Sequence, residues 1–229
     1  MLTYENCTLC PRRCGVDRTA GKRGFCGMGA QLTAARAAAH YWEEPVISGS
    51  FGSGAVFFSG CTLRCAFCQN SVISHENYGK ALTSVQLREV FERLIDDGVQ
   101  NINLVTPTHF LPDILPALTP KLPVPVVYNC GGYESVQTLR QLEGLVDIYL
   151  PDMKYSNNAL AKKLSAAPDY FEIASAAIAE MYRQTGDAVI EDAQMTRGVL
   201  VRHLVLPGEI DNSLGVLDWF AAHFRPGQA

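Results

Sequence analysis

Cys61-Thr-Leu-Arg-Cys65-Ala-Phe-Cys68 follows directly on the apolar run Gly54-Ala-Val-Phe-Phe-Ser-Gly60. The run reads as a buried strand, which places the three cysteines on the loop at its end. A C-x3-C-x2-C spacing lets one short loop wrap three thiolates round one face of an iron–sulfur cube. Three protein ligands leave the fourth iron open to a substrate or cofactor. A closed structural site would want a fourth ligand close by.

Four more cysteines precede this loop, as Cys7-x2-Cys10-x3-Cys14-x11-Cys26, and the eighth is Cys130. Residues 1–29 are rich in glycine and poor in apolar side chains, so they cannot build a core, and a bound metal would supply the missing folding energy. Four thiolates suit structural zinc or a second iron–sulfur cluster, and spacing does not choose between them. The start Met1-Leu-Thr-Tyr-Glu-Asn-Cys7 shows no secretory pattern, so a cytoplasmic location is expected, where cysteines serve as metal ligands more than as disulfides.

Composition narrows the classes further. The 229 residues are 48% hydrophobic and 18% charged, as in an ordinary globular protein, and the net charge is −4. No basic cluster is longer than Pro11-Arg-Arg13, so a nucleic-acid partner is not expected. Val199–Leu206 is apolar but short and interrupted by charge, so no membrane span is expected either.

From residue 54 onward strands and helices alternate. Strands are expected at 54–59, 101–106, 123–128, 146–150 and 199–206, and helices at 84–97, 110–118, 134–143, 157–166, 169–185 and 214–224. In the first helix Leu87, Val90, Phe91, Leu94 and Ile95 share a face, Thr83 or Ser84 caps the start, and Gly98 ends it. Pro168 suits the first turn of the helix at 169–185. Such alternation implies an α/β fold with parallel pairing, read as a partial (β/α) barrel over 49–229 behind a Cys-rich metal-binding segment and linker over 1–48. Gln31–Trp42 reads as a strand or a short helix, with its alanines favouring helix. Gly49, Gly52 and Gly54 precede their strand, so neither a dinucleotide fingerprint nor a P-loop fits. His40, Glu43 and Glu44 are expected to hydrogen-bond the linker against the barrel mouth rather than to act on a metal or a proton. Cys130 reads as a small buried cysteine rather than a reactive thiol. Only one of Arg202 and His203 can face the lumen, because side chains alternate along a strand; His203 is the expected one, with Arg202 reaching a helix or loop carboxylate.

Taken with Cys61-x3-Cys65-x2-Cys68, the ordered motifs His40-x2-Glu43-Glu44-Pro45, Cys68-Gln-Asn70, Val105-Thr-Pro-Thr-His109, Tyr128-Asn129, Asp152-x-Lys154 and Arg202-His203-Leu-Val-Leu-Pro-Gly208 resemble the radical S-adenosylmethionine (SAM) superfamily. Within it they resemble the poorly characterised branch related to pyruvate formate-lyase activating enzymes, over nearly the whole chain. The resemblance implies a partial TIM-like barrel of six βα units, of which the last strand and helix are expected to be missing here, and a strand rather than a helix at 31–42. It implies a [4Fe-4S] cluster on Cys61, Cys65 and Cys68, with SAM bound by Thr106, His109, Asn129, Asp152, Lys154 and His203. Asp152 would take the ribose or amine and Lys154 the carboxylate. Thr106-Pro-Thr-His109 stands where many members carry Gly-Gly-Glu, so threonine hydroxyls or backbone carbonyls would replace that grip on the amine. The implied activity is reductive cleavage of SAM to a 5′-deoxyadenosyl radical. Its partners would be an electron donor such as flavodoxin or ferredoxin and a protein substrate activated by glycyl radical formation. Two other readings remain open: a two-cluster electron carrier without SAM chemistry, and a zinc-stabilised binding module.

Overall fold

The apolar runs become strands and the amphipathic runs between them become helices. The computed structural model describes residues 2–229. Its strands are β1 Thr33–His40, β2 Ser53–Phe58, β3 Lys80–Ala81, β4 Ile102–Val105, β5 Val126–Cys130, β6 Ile148–Pro151, β7 Val189–Glu191 and β8 Gln194–Val199. Its α-helices are α1 Pro45–Ser48, α2 Ser71–Ser74, α3 Ser84–Asp96, α4 Leu111–Ala117, α5 Val136–Leu139, α6 Asn158–Ser165, α7 Tyr170–Thr185 and α8 Ile210–His223. Short 3-10 turns cover Thr108–Phe110 and Arg140–Leu142.

All the strands join one sheet in the order β3-β1-β2-β4-β5-β6-β8-β7. The five in the middle, β2, β4, β5, β6 and β8, run parallel, while β1 pairs antiparallel with both β2 and β3 on one side and β7 pairs antiparallel with β8 on the other. Parallel register lines up Val56, Leu104, Tyr128 and Tyr149 in one row, all buried against the helices. The next row, Ala55, Asn103, Val127 and Ile148, points to the other face. There Val127, Ile148 and Leu150 form a second apolar cluster with Ile47 of α1 and Met195 of β8. Thus α1 covers the face that the larger helices do not. Tyr41, Trp42, Ser48, Gly49 and Ser50 line a cavity of about 560 Å³ together with Asp192, Ala193 and Gln194, which bring the other side of the sheet to the same place.

The expected elements are found, with shifted ends. The helix at 134–143 is one turn of α5 followed by a 3-10 turn, and the last parallel strand is 194–199 rather than 199–206. Beyond Val199 the chain still follows β6, through Leu200 N–H to the Tyr149 carbonyl and Arg202 N–H to the Pro151 carbonyl, both at 2.9 Å. Residues 33–40 are strand despite their alanines, because pairing with β2 outweighs helix propensity. β1 therefore belongs to the sheet rather than to the segment that precedes it. Among the described residues no helix is long and apolar enough to cross a membrane.

Residues 2–32 form no helix or strand and are held by side chains. Arg18 is buried; its guanidinium donates to the Gly29 carbonyl at 2.6 Å and to the His109 carbonyl at 2.6 Å, and lies over the Tyr4 ring. Thr138 donates to the Leu9 carbonyl at 2.8 Å, tying the segment to α5.

α3 shows the expected cap. Thr83 accepts from Gln86 N–H, and Gln86 returns a bond to Thr83 N–H, closing a capping box. Leu87, Phe91 and Leu94 are buried, with Val90 and Ile95 packed beside them. Phe91→Ala should cost about 3–5 kcal/mol and Thr83→Ala about 1 kcal/mol. Chemical denaturation of the two variants checks both values, and equal small losses would show that α3 does not anchor the core.

Candidate metal centre

The loop after β2 is shaped by backbone that few residues tolerate. Gly60 has φ +82°, and a Cβ there would lie 2.4 Å from Met28 Cγ and 2.7 Å from the Cys26 carbonyl. Only glycine lets β2 end this close to the N-terminal segment. Arg64, at φ +53°, turns the chain between Cys61 and Cys65 and donates to the His75 carbonyl.

Each of the three thiols on the loop meets its own donor. Leu63 N–H points at Cys61 Sγ at 3.4 Å, Ser165 Oγ at Cys65 Sγ at 2.9 Å, and Ser74 Oγ at Cys68 Sγ at 3.3 Å. Such donors favour thiolate, the form that binds metal. Among the described residues no three Cys, His, Asp or Glu side chains stand ready around a single ion. A cube takes each thiolate on a separate iron and so spreads its ligands more widely than one ion does. In the N-terminal segment Cys7, Cys10 and Cys26 are buried and Cys14 is exposed, with Phe25 N–H directed at Cys14 Sγ at 3.3 Å.

Beside the loop lies a charged ring built by strand ends. Lys154 Nζ donates to Asp152 Oδ2 at 2.5 Å, and Arg202 Nε donates to Asp152 Oδ1 at 3.1 Å. Arg202 also donates to Asn129 Oδ1 at 2.6 Å and to Glu43 Oε2 at 3.3 Å, with Glu44 at 3.7 Å. Asn129 Nδ2 donates to Glu43 Oε2 at 3.0 Å. Burial alone would raise the Asp152 carboxyl, but the Lys154 and Arg202 cations hold it below the usual range. Burial likewise opposes the charge on Lys154, yet Asp152 and the Cys65 sulfur raise its pKa. Burial pushes Glu43 up, offset in part by Arg202.

Three expected site residues sit at this ring: Asn129, Asp152 and Lys154. Thr106 follows β4 directly, with its N–H on the Asn129 carbonyl at 2.8 Å, at φ +58°. Positive φ in a β-branched residue is strained backbone, a feature that collects at functional sites. His109 and His203 lie elsewhere. His109 is buried beneath the cysteine loop, where Nε2 bonds the Ser59 carbonyl at 2.7 Å and burial lowers its pKa to about 4. His203 turns away from the ring, with Nδ1 on the Met153 carbonyl at 2.7 Å and Nε2 on Ser213 Oγ of α8 at 2.8 Å. Arg202 takes the inward position expected of His203, because three carboxylates there need a cation. That excess of acid in the sequence, Glu43, Glu44 and Asp152 against Lys154, was the available signal. Glu43 tethers the linker to the strand ends as expected, whereas His40 instead packs edge-on to Phe57. Cys130 is buried at the end of β5, with its thiol pushed up by burial.

Comparisons with known proteins now bear on the cysteine loop. Residues 48–110 match the family model described as a 4Fe-4S single cluster domain. That match supports a four-iron cluster. The cysteines inside the matched span are Cys61, Cys65 and Cys68. The chain is also similar to an uncharacterized protein of Methanocaldococcus jannaschii, 31% identical over 218 residues, which are 91% of this chain and 59% of that protein. It thus spans about three fifths of the relative's length.

Thiols must ionise to bind iron, and burial pushes Cys61 up to about 11 and Cys65 upward, the latter against Lys154 and Ser165. Both folded pKa values are raised, so metal binding displaces protons across the neutral range and strengthens as pH rises. Iron affinity should fall by roughly tenfold per pH unit for each proton released. Competition with a chelator between pH 8.5 and 6.5 checks this, and a flat profile would mean the thiols are already ionised.

Proposed function

We propose that this chain is the core of a radical SAM enzyme, with a [4Fe-4S] cluster on Cys61, Cys65 and Cys68. The observation that carries the reading is the meeting of the cysteine loop with the Asp152–Lys154 pair. Leu63 of the loop closes over Gly131 with the Lys154 stem alongside, so that a Cβ on Gly131 would lie 2.6 Å from Leu63 and 3.6 Å from Lys154. Lys154 is near enough to Cys65 for each to shift the other's ionisation. A cation beside a cluster could serve an electron carrier by tuning its potential, but a buried ammonium paired with a carboxylate matches the two charges of a zwitterionic cofactor.

The reduced cluster would supply the electron that cleaves SAM to a 5′-deoxyadenosyl radical. Lys154 would pair with the amino-acid carboxylate and Asp152 with the ribose or amine. Asn129 would contact the cofactor beside them. The strained Thr106 would lend backbone carbonyls or its hydroxyl, in place of an acidic grip on the amine. Arg202 would hold Asp152 and Glu43 in place and keep Asp152 ionised. The cavity shared by Tyr41–Ser50 and Asp192–Gln194 supports a sheet curled toward a partial barrel, with residues 49–229 as the catalytic part and, of residues 1–48, the stretch before β1 as a metal-binding segment and the stretch after it as a linker. The proposed partners are a flavodoxin- or ferredoxin-type donor and a protein that receives the radical on a glycine, in the cytoplasm.

The test is anaerobic: load iron and sulfide, reduce, add SAM, and measure 5′-deoxyadenosine. Product from the parent chain and none from Cys65→Ala supports the reading. Lys154→Ala should weaken SAM binding by about tenfold or more, equivalent to about 1.4 kcal/mol. A reducible cluster without product or bound SAM would favour the electron carrier. Colourless, redox-silent zinc in both cysteine sets would favour the binding module.

A further inference from the structure

Arg12 stands between the second and third cysteines of the N-terminal set, yet its side chain serves the other cysteine loop. Nε donates to the Thr62 carbonyl at 2.8 Å, Nη2 to the Ser165 carbonyl at 2.8 Å, and Nη1 to the Ala166 carbonyl. The guanidinium is sandwiched by aromatics, 3.9 Å from the centre of the Phe25 ring and 5.0 Å from that of Tyr133. Three of these contacts bear on a cysteine. Thr62 follows Cys61, Phe25 precedes Cys26, and Ser165 donates through its hydroxyl to Cys65 Sγ at 2.9 Å, backed by the Tyr155 hydroxyl at 2.6 Å. Ser165 and Ala166 end α6, Ala166 in the left-handed conformation, where helix carbonyls lack partners. One planar fork therefore fixes both the chain beside Cys61 and the residue that donates to Cys65.

We propose that Arg12 is a positioning residue coupling the two cysteine sets: closure of the Cys7, Cys10, Cys14 and Cys26 segment sets the hydrogen bonding, and so the reduction potential, of the cluster on Cys61, Cys65 and Cys68. This rests on the iron–sulfur reading above. The N-terminal segment has no helix or strand to fix Arg12; Phe25, which lies against the guanidinium, is itself held by its N–H on Cys14 Sγ at 3.3 Å. When that contact loosens, Arg12 releases Thr62 and the end of α6, and the Ser165 donor drifts from Cys65. A hydrogen bond to a ligand sulfur and a nearby cation both favour the electron-rich state, so losing them lowers the potential.

The experiment is an anaerobic redox titration of the loaded chain, followed by cluster absorbance, in Arg12→Ala, Arg12→Lys and the exposed neighbour Arg13→Ala. Arg12→Ala should cut the reduced-to-oxidised ratio at a fixed potential by about tenfold, which is ~59 mV for one electron. Arg13→Ala should match the parent. Arg12→Lys keeps the charge but cannot grip three carbonyls, so it should show most of the Arg12→Ala shift. An unshifted Arg12→Ala, a restored Arg12→Lys, or an equal shift in Arg13→Ala each overturns the proposal. Amide hydrogen exchange of the iron-free chain needs no cluster and reads the same coupling. Residues 61–68 and 165–166 should exchange faster in Arg12→Ala and in Cys14→Ser, and unchanged protection in either overturns the coupling. Should the parent chain hold no iron–sulfur absorbance, the cluster reading fails while the exchange result still decides whether Arg12 joins the two loops.

Discussion

The arrangement of charge around Arg202 is the constraint on which the candidate site depends. One guanidinium meets Asp152, Glu43 and Glu44, with Lys154 as the second cation. These groups come from the linker before α1, the end of β6 and the extended chain after β8. None can be withdrawn alone, because a carboxylate taken from water is tolerated only while its cation stays in place. The linker is thereby locked to the strand ends, and Ile47, a few residues on, is drawn onto the second apolar cluster below. Polar ring and apolar floor are thus consequences of one chain segment crossing one face of the sheet.

Much of this was legible in the sequence because it is local. The run 54–59, the cysteines after it, the α3 face and the Asp152-x-Lys154 pair each depend on a few consecutive residues. What escaped depends on distant partners. The alanines of 33–40 leaned to helix and only the resemblance implied the strand, whose reason is β2, and the short β7 has no periodic signal. Alternation showed that Arg202 and His203 face opposite ways, but the choice lies with Glu43 and Ser213, one far away in sequence and one on the following helix. His109 was drawn to the mouth by its place after β4, whereas the 3-10 turn at Thr108–Phe110 swings it beneath Ser59. Arg18 gave no signal at all, since burial of a guanidinium is decided by carbonyls at Gly29 and His109.

The N-terminal segment shows how a glycine-rich stretch can be positioned without a core. Its apolar residues are few, so directional bonds and stacked rings replace area. Arg18 fastens it to the turn after β4, Thr138 to α5, and Arg12 to the cysteine loop and α6. Hydrogen bonds from a guanidinium to a carbonyl need geometry to be held, and aromatic faces on Tyr4, Phe25 and Phe110 supply that order. The absence of a side chain at Gly60 completes the fit by letting Met28 and the Cys26 carbonyl approach.

Strain and support are found in the same place for a physical reason. Thr106 keeps a positive φ only because its N–H is held by Asn129 and its neighbours are packed, which over-determines the turn. The side chain of the same Asn129 is bonded by Arg202 and Glu43, so the strained turn and the charged ring share a residue. A ring that loosened would free the turn as well. Side chains at the ends of three neighbouring strands therefore hold one arrangement together, and the ordering cost falls on folding.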